Sequence, residues 1–207
     1  MKFLAFDSSS DVLSVGLFDG EKKIALSESP GFARHSSELA PRIERLLRSK
    51  KIKLSDLGGI AVGVGPGSFT GLRVGVTAAK VLAFALGKKI AGVPSLEAAA
   101  RSVNVPCGRI AVHLDARRGR VYAALYEKRK NAFKTVRRPE LLMIEDFKKQ
   151  YGGCDVTLDA ATQRPGAEGV AAAALDHFRK GKGLSPNKLE PLYLYPKDCN
   201  VTPRKEP

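Results

Sequence analysis

The stretch from Gly63 to Gly75, G-V-G-P-G-S-F-T-G-L-R-V-G, most constrains what this chain can fold into. Glycine serves where a Cβ would clash or where φ must be positive. Four glycines and a proline lie before and at the entry to a helix, so the backbone itself is the functional surface there. That backbone meets one of three things: a phosphate, the protein's own core, or another protein.

The stretch lacks the lysine that a G-x-x-x-x-G-K-[ST] loop brings to the β- and γ-phosphates. Gly65, Gly67 and Gly71 are spaced G-x-G-x-x-x-G, which is not the dinucleotide fingerprint, and Asp56 lies before the motif. A helix N-terminus still attracts anions through its unpaired amides; tight packing of strand against helix is the competing reading. The helix starts at Ser68 or Phe69 and runs to about Leu86, with Gly87 as a C-cap. Phe69, Leu72, Val76 and Ala79 or Lys80 form one stripe on it, and Gly71, Gly75, Ala78 and Leu82 lie near another. It is apolar over more of its circumference than one sheet covers, so it is expected to be buried on two sides. The glycines at i and i+4 permit an unusually close approach. Arg73 reads as a rim salt bridge or a phosphate contact.

The surrounding pattern is α/β. Phe3–Phe6, Val12–Phe18 and Lys22–Ser29 read as an antiparallel meander, with Asp19-Gly20 as a hairpin turn. Leu39, Ile43, Leu46 and Leu47 give a helix over 36–49, with Pro41 in its first turns. Strands follow at Ile60–Val64 and Ile90–Val93, then a helix opened by Pro94-Ser95, with Ser95 as a possible cap. A second lobe is expected from residue 105, giving lobes 1–104 and 105–196 and a flexible tail 197–207. It reads as strands Arg109–Leu114, Val121–Tyr126 and Val156–Leu158, helices Leu141–Gln150 and Ala167–Arg179, and a tail strand Leu192–Tyr195. Short helical crossovers between apolar strands predict a mixed sheet with helices on its faces.

At the end of the first strand stand Asp7, Ser8, Ser9 and Ser10. A carboxylate there suits a magnesium-bound water and the hydroxyls suit a phosphate, whereas an Asx or Ser turn feeding the hairpin explains them without any ligand. Asp11 adds negative charge beside that position. The three histidines, His35, His113 and His177, form no H-x-x-x-H pair for a metal, and no G-x-S-x-G elbow is present. His113 and Asp115 alternate on one strand. Cys107, Cys154 and Cys199 are scattered, which reads as free thiols in a reducing compartment. No basic stretch followed by an apolar run opens the chain, and Val74–Leu86 is too short to span a bilayer, so a cytoplasmic location is expected.

The formal charge is +14, with 14 basic against 9 acidic residues in the first hundred and 21 against 12 from 101 onward. This favours polyanions as partners. Arg117, Arg118 and Arg120, with Lys128, Lys130 and the rest of the run Lys128–Arg138, form either a phosphate-contacting patch or a solvated face.

Asp7-Ser8-Ser9-Ser10, the stretch Phe32-Ala33-Arg34-His35-Ser36-Ser37-Glu38-Leu39 and above all Gly65-Pro-Gly-Ser-Phe-Thr-Gly-Leu-Arg-Val-Gly75 together resemble the bacterial TsaB family, also called YeaZ. The second half fits more loosely, through Asp115-Ala-Arg-Arg-Gly119 and Pro191-Leu-Tyr-Leu194. The resemblance implies the two-lobed fold of actin-like ATPases and sugar kinases, with the second lobe reduced. It implies a part in forming N6-threonylcarbamoyladenosine at position 37 of tRNAs that read A-starting codons. In that scheme the paralogue TsaD is the catalyst, and this chain is its non-catalytic partner and activator. TsaE, a small ATPase, joins them, tRNA enters the complex, and the chain self-associates through the TsaD surface. No cofactor or metal is assigned to it. The paralogue's metal-holding histidine pair has only His35 near the equivalent place, and Asp7–Ser10 corresponds to a degenerate nucleotide loop.

The expected interface is a two-helix face carrying Leu39, Ile43, Leu46, Phe69, Gly71, Leu72, Arg73, Gly75, Val76, Ala79 and Leu82. It forms a four-helix seam with TsaD, which Val76→Glu is expected to break while leaving a folded monomer. Two other classes stand beside this one. A small ATP-binding phosphotransferase of the same fold requires nucleotide binding through Asp7. A peptidase lacks a nucleophile constellation.

Overall fold

The computed structural model describes residues 1–31, 34–130, 132–181 and 183–194. Strands β1 (Lys2–Asp7), β2 (Val12–Asp19) and β3 (Lys22–Pro30) form the antiparallel meander. Helix α1 (His35–Ser49) leads to β4 (Gly59–Gly65), α2 (Phe69–Ala85), β5 (Lys89–Pro94) and α3 (Ser95–Arg101). The sheet order is β3-β2-β1-β4-β5, with β1, β4 and β5 parallel. The pattern then recurs. Strands β6 (Gly108–Arg117), β7 (Arg120–Arg129) and β8 (Ala132–Met143) form a second meander, followed by α4 (Ile144–Tyr151), β9 (Val156–Asp159) and α5 (Ala167–Arg179). The second sheet is ordered β8-β7-β6-β9, with β9 parallel to β6 as β4 is to β1.

Period-two alternation in β1 sends Leu4 and Phe6 to one face of the first sheet and Phe3 and Ala5 to the other. Leu4 and Phe6 meet α1 and α2 through Leu39, Ile43, Leu46, Val76 and Ala79. Phe3 and Ala5 meet α5 through Ala167, Val170 and Ala174. Because both faces are covered, the strands read as unbroken apolar runs. Leu96, Ala99 and Ala100 of α3 cover one face of the second sheet, at Ile110, Val112 and Tyr126. Phe147 and Tyr151 of α4 cover its other face. The layers therefore run helices, sheet, helices, sheet, helix, with α3 and α5 in the middle.

The chain does not keep to the expected division near residue 105. Helix α5 leaves the second sheet and packs on the first, because its alanine-rich face fits beneath Phe3 and Phe18. The segment after it also returns: the Leu184 amide donates to the Ile90 carbonyl (2.8 Å) and Leu189 is buried. Ser14 draws α5 in by accepting the Ala167 amide (2.9 Å), and Arg164 grips Asp11 through two hydrogen bonds (2.6 and 2.9 Å).

Several local expectations change. Pro41 lies inside α1, seven residues in at the end of its second turn, past the N-terminal positions whose amides need no partner. Ser95 does not cap α3, because its hydroxyl is engaged with Asp7. Residues 141–143 extend β8, since the run Lys128–Arg138 folds as a hairpin whose outer strand pairs along the length of β7. Leu192, Tyr193 and Leu194 form no strand. Tyr195 and the expected tail 197–207, with Cys199, lie outside the described residues, as do Phe32 and Ala33.

Candidate functional site

The glycine signature meets the protein's own loop. A Cβ at Gly63 would fall 1.7 Å from Asp7 Oδ2, at Gly67 2.4 Å from the Ser9 carbonyl oxygen, at Gly71 2.0 Å from the Ser8 carbonyl oxygen, and at Gly75 2.2 Å from Ser8 Oγ. Four glycines spaced by four thus clear room for one turn, Asp7–Ser9. Ser68 caps α2 by accepting the Gly71 amide (3.2 Å), while its own amide donates to the Ser9 carbonyl (2.7 Å). Ser8 Oγ donates to the Gly71 carbonyl (2.8 Å).

Asp7 is fully buried at the centre of this turn. Its Oδ1 accepts the Ser9 amide (2.7 Å) and the Ser9 hydroxyl (2.6 Å), and its Oδ2 accepts the Ser95 hydroxyl (2.9 Å). Ser95 Oγ in turn accepts the Gly65 amide (3.0 Å), tying β1, β4 and α3 together. Burial pushes the Asp7 carboxyl above its ordinary range, against the lowering effect of those hydrogen bonds. Its oxygens serve the fold, so the Asx-turn reading of Asp7, Ser8 and Ser9 is the one the geometry follows. Ser9 and Ser10 border a cleft of about 580 Å³ between the lobes, together with Asp11, Gly67, Ser68, Asp115 and Arg117.

On the opposite side of α2 lies the second feature, an apolar groove of about 760 Å³ between α1 and α2. Leu39, Ile43 and Leu47 of α1 and Val74, Ala78, Val81 and Leu82 of α2 line it. The expected interface set divides here. Leu46, Gly71, Leu72, Gly75, Val76 and Ala79 are buried against the sheet or the Asp7 turn, Val76 at 3% exposure, and offer nothing to a partner; Leu39 and Ile43 are buried as well and reach only the groove floor. The reason is helical phase: the stripe that clears the turn also faces the sheet. The outer face instead carries Phe69, Arg73, Thr77, Val81 and Phe84, with Phe69, Val81 and Phe84 at 54, 60 and 74% exposure. Arg73 makes no salt bridge among the described residues; its guanidinium lies 3.9 Å from the Phe69 ring centroid and donates to Tyr193 Oη (3.3 Å), which itself packs on Phe69. Read from the sequence, Phe69 falls in a stripe with Leu72, Val76 and Ala79, and Val81 and Phe84 are not singled out, although Phe69, Arg73, Thr77 and Val81 also recur at i, i+4. The seating of Tyr193 on this face was not legible, because it arrives from 120 residues away.

The basic residues do not form one patch. Arg117 and Arg118 occupy the β6–β7 turn with positive φ (68° and 54°), beside the interlobe cleft. Lys128 and Lys130 lie at the far end of the ten-residue β7, roughly 30 Å away at the strand rise. Arg120 opens β7 at the near end. His113 packs tilted against Phe147, and Asp115 accepts the Arg117 amide (2.8 Å), so the two make no acid–base pair. Among the described residues no three His, Cys, Asp or Glu side chains converge as metal donors, and no helix is long and apolar enough to cross a membrane.

The model of the family described as "TsaD: tRNA N6-adenosine threonylcarbamoyltransferase" matches residues 29–168. The chain is 36% identical over 147 residues to a tRNA threonylcarbamoyladenosine biosynthesis protein TsaB of Bacillus subtilis, covering 71% of this chain and 64% of that protein. It is 32% identical over 154 residues to the protein of the same description from Buchnera aphidicola, covering 71% of this chain and 72% of that one. The chain belongs to the TsaB family. The structure titled "YeaZ from Pseudomonas aeruginosa" superposes with a TM-score of 0.82 at 24% identity, over 93% of this chain and 99% of that one, so the two share one fold. In this TsaB-family chain the glycine signature is a packing device: it seats the Asp7 turn and thereby sets the angle at which α2 presents its outer face.

Two outcomes follow from the turn. Alanine ordinarily stabilises a helix interior by about 1 kcal/mol over glycine. At Gly71 the added methyl meets the Ser8 backbone, so Gly71→Ala is expected to cost about 1–3 kcal/mol by overpacking; a thermal melt reads the sign directly. Burial holds the His35 imidazole below its ordinary range, while the backbone at Asp11 and Ser8 and the Asp7 and Asp11 carboxylates partly offset this. The unfolded chain therefore takes up this proton first, and stability falls as pH drops below about 6.5. Asp7, held high, acts with the opposite sign at lower pH. Melting temperatures at neutral and mildly acidic pH are expected to show a smaller acid loss in His35→Gln than in the wild type.

Proposed function

We propose that this chain is a cytoplasmic, non-catalytic partner and activator of TsaD in forming N6-threonylcarbamoyladenosine at position 37 of tRNAs that read A-starting codons. The observation that carries the reading is the open apolar groove between α1 and α2, with Val81 in its lining and Phe69 and Phe84 exposed on the outer face of α2. Each such side chain gains about 1.5–3 kcal/mol when fully buried, and the Phe69–Arg73–Tyr193 cluster joins aromatic rings to a guanidinium, the composition that dominates interface energetics. The matched descriptions name a transferase and a biosynthesis protein. The buried, hydrogen-bonded Asp7 supports the second role for this chain, because its carboxylate holds the fold rather than a ligand.

Docking on this face fixes TsaD in a competent conformation. Activation then comes from placing the partner's groups, since a misplacement of about 1 Å costs ~100-fold in rate. A second copy of the chain occupies the same groove when TsaD is absent. TsaE joins the assembled pair, and tRNA approaches its positive surface.

Val81→Glu tests the face. It is expected to abolish co-purification with TsaD and to leave the thermal midpoint close to wild type, because surface changes shift stability by no more than about 0.5 kcal/mol. Val76→Glu, expected from the sequence to do this, buries a carboxylate in the core instead and destabilises the monomer. Reconstitution with TsaD, TsaE, tRNA and the adenylate-forming enzyme checks the role. Modification is expected to depend on this chain, with no turnover by it alone; full modification without the chain contradicts the proposal.

A further inference from the structure

We infer that the groove between the β7–β8 hairpin and the C-terminal end of α5 is a contact site for an RNA phosphate backbone; the inference rests on the proposed role in tRNA modification. The groove encloses about 540 Å³. Arg101 and Phe133 form its floor, Lys128, Arg129 and Lys130 one wall, and Lys180 stands on the other. The floor is fixed. The Arg101 guanidinium lies 4.3 Å from the Phe133 ring centroid and bonds Glu97 (2.9 Å) and Asp176 (3.0 Å), so its own charge is matched. The walls are not matched in the same way. Arg129 is drawn toward Glu127 (3.1 Å), but Lys128, Lys130 and Lys180 make no ion pair with a described residue. Ammonium groups rising on two sides of a shallow channel suit the repeating charge of a phosphodiester chain. The surplus of basic residues beyond residue 100 adds a field that draws such a chain in.

The location separates this groove from partner docking. Helix α5 packs on the Phe3 and Ala5 face of the first sheet, and α1 and α2 pack on the Leu4 and Phe6 face. A partner seated on α1 and α2 leaves the basic groove open on the far side of the sheet. The β6–β7 turn, at the other end of β7, provides an internal comparison.

The test measures binding of an unmodified tRNA transcript to the complex of this chain with TsaD, over a series of salt concentrations. Lys128→Glu combined with Lys130→Glu is expected to weaken binding roughly tenfold or more and to reduce the slope of log affinity against log salt by about two, one for each lost phosphate contact. Arg117→Ala combined with Arg118→Ala is expected to leave affinity and slope near wild type. Lys128→Gln with Lys130→Gln, which removes charge without reversing it, is expected to show the same loss in smaller measure and serves if the reversed pair folds poorly. Unchanged affinity and slope in both lysine pairs overturns the inference. So does equal loss in the Arg117, Arg118 pair, a wild-type complex that binds tRNA no better than TsaD alone, or competition by polyglutamate as strong as by RNA, which marks an acidic protein as the occupant. Failure of the proposed function appears elsewhere, as a wild-type chain that does not co-purify with TsaD.

Discussion

A carboxylate without access to water organises the first lobe. Asp7 ends β1, and its oxygens hold the Ser9 amide and hydroxyl and the Ser95 hydroxyl. Each of those donors, left unpaired in the interior, would cost about 1–3 kcal/mol, so the turn, the start of α3 and the end of β4 are fixed by one side chain. The glycines of β4 and α2 fit around that turn because any Cβ would strike it. In this geometry the Asp7–Ser9 turn is sealed from within. The outer face of α2 and the groove it shares with α1 stay open, as does the interlobe cleft beside Ser9 and Ser10.

The repeated order of strands and helices places two surfaces back to back. The first sheet is covered on one face by α1 and α2 and on the other by α5. One side therefore presents an apolar groove, and the other leads through α5 and Arg101 to the basic hairpin of the second sheet. The middle helices carry this separation: Arg101 ties α3 to α5 and supports Phe133 of β8, so the hairpin is set by the same packing that covers the first sheet.

Much of this was legible in the residues. The unbroken apolar run Phe3–Phe6, the helical spacing of Leu39, Ile43 and Leu46, and the glycine run pointed to the first sheet and its helices. Helical phase was harder to read. Leu72 and Val76 form as good a stripe on paper as Phe69, Thr77 and Val81, and only the position of the Asp7 turn decides which stripe is inward. The run Lys128–Arg138 masked a strand, because an edge strand needs few apolar residues when its outer side meets solvent. The return of α5 to the first sheet and the seating of Tyr193 on Phe69 are long-range events that no local pattern encodes.

Hydrogen exchange on the chain, alone and bound to TsaD, tests the central claim most directly. Docking through the outer helices predicts slowed exchange over residues 36–54 and 69–86, with β6 to β9 unchanged. Protection confined to the interlobe cleft or to the second sheet, with both helices exchanging as in the free chain, would contradict it.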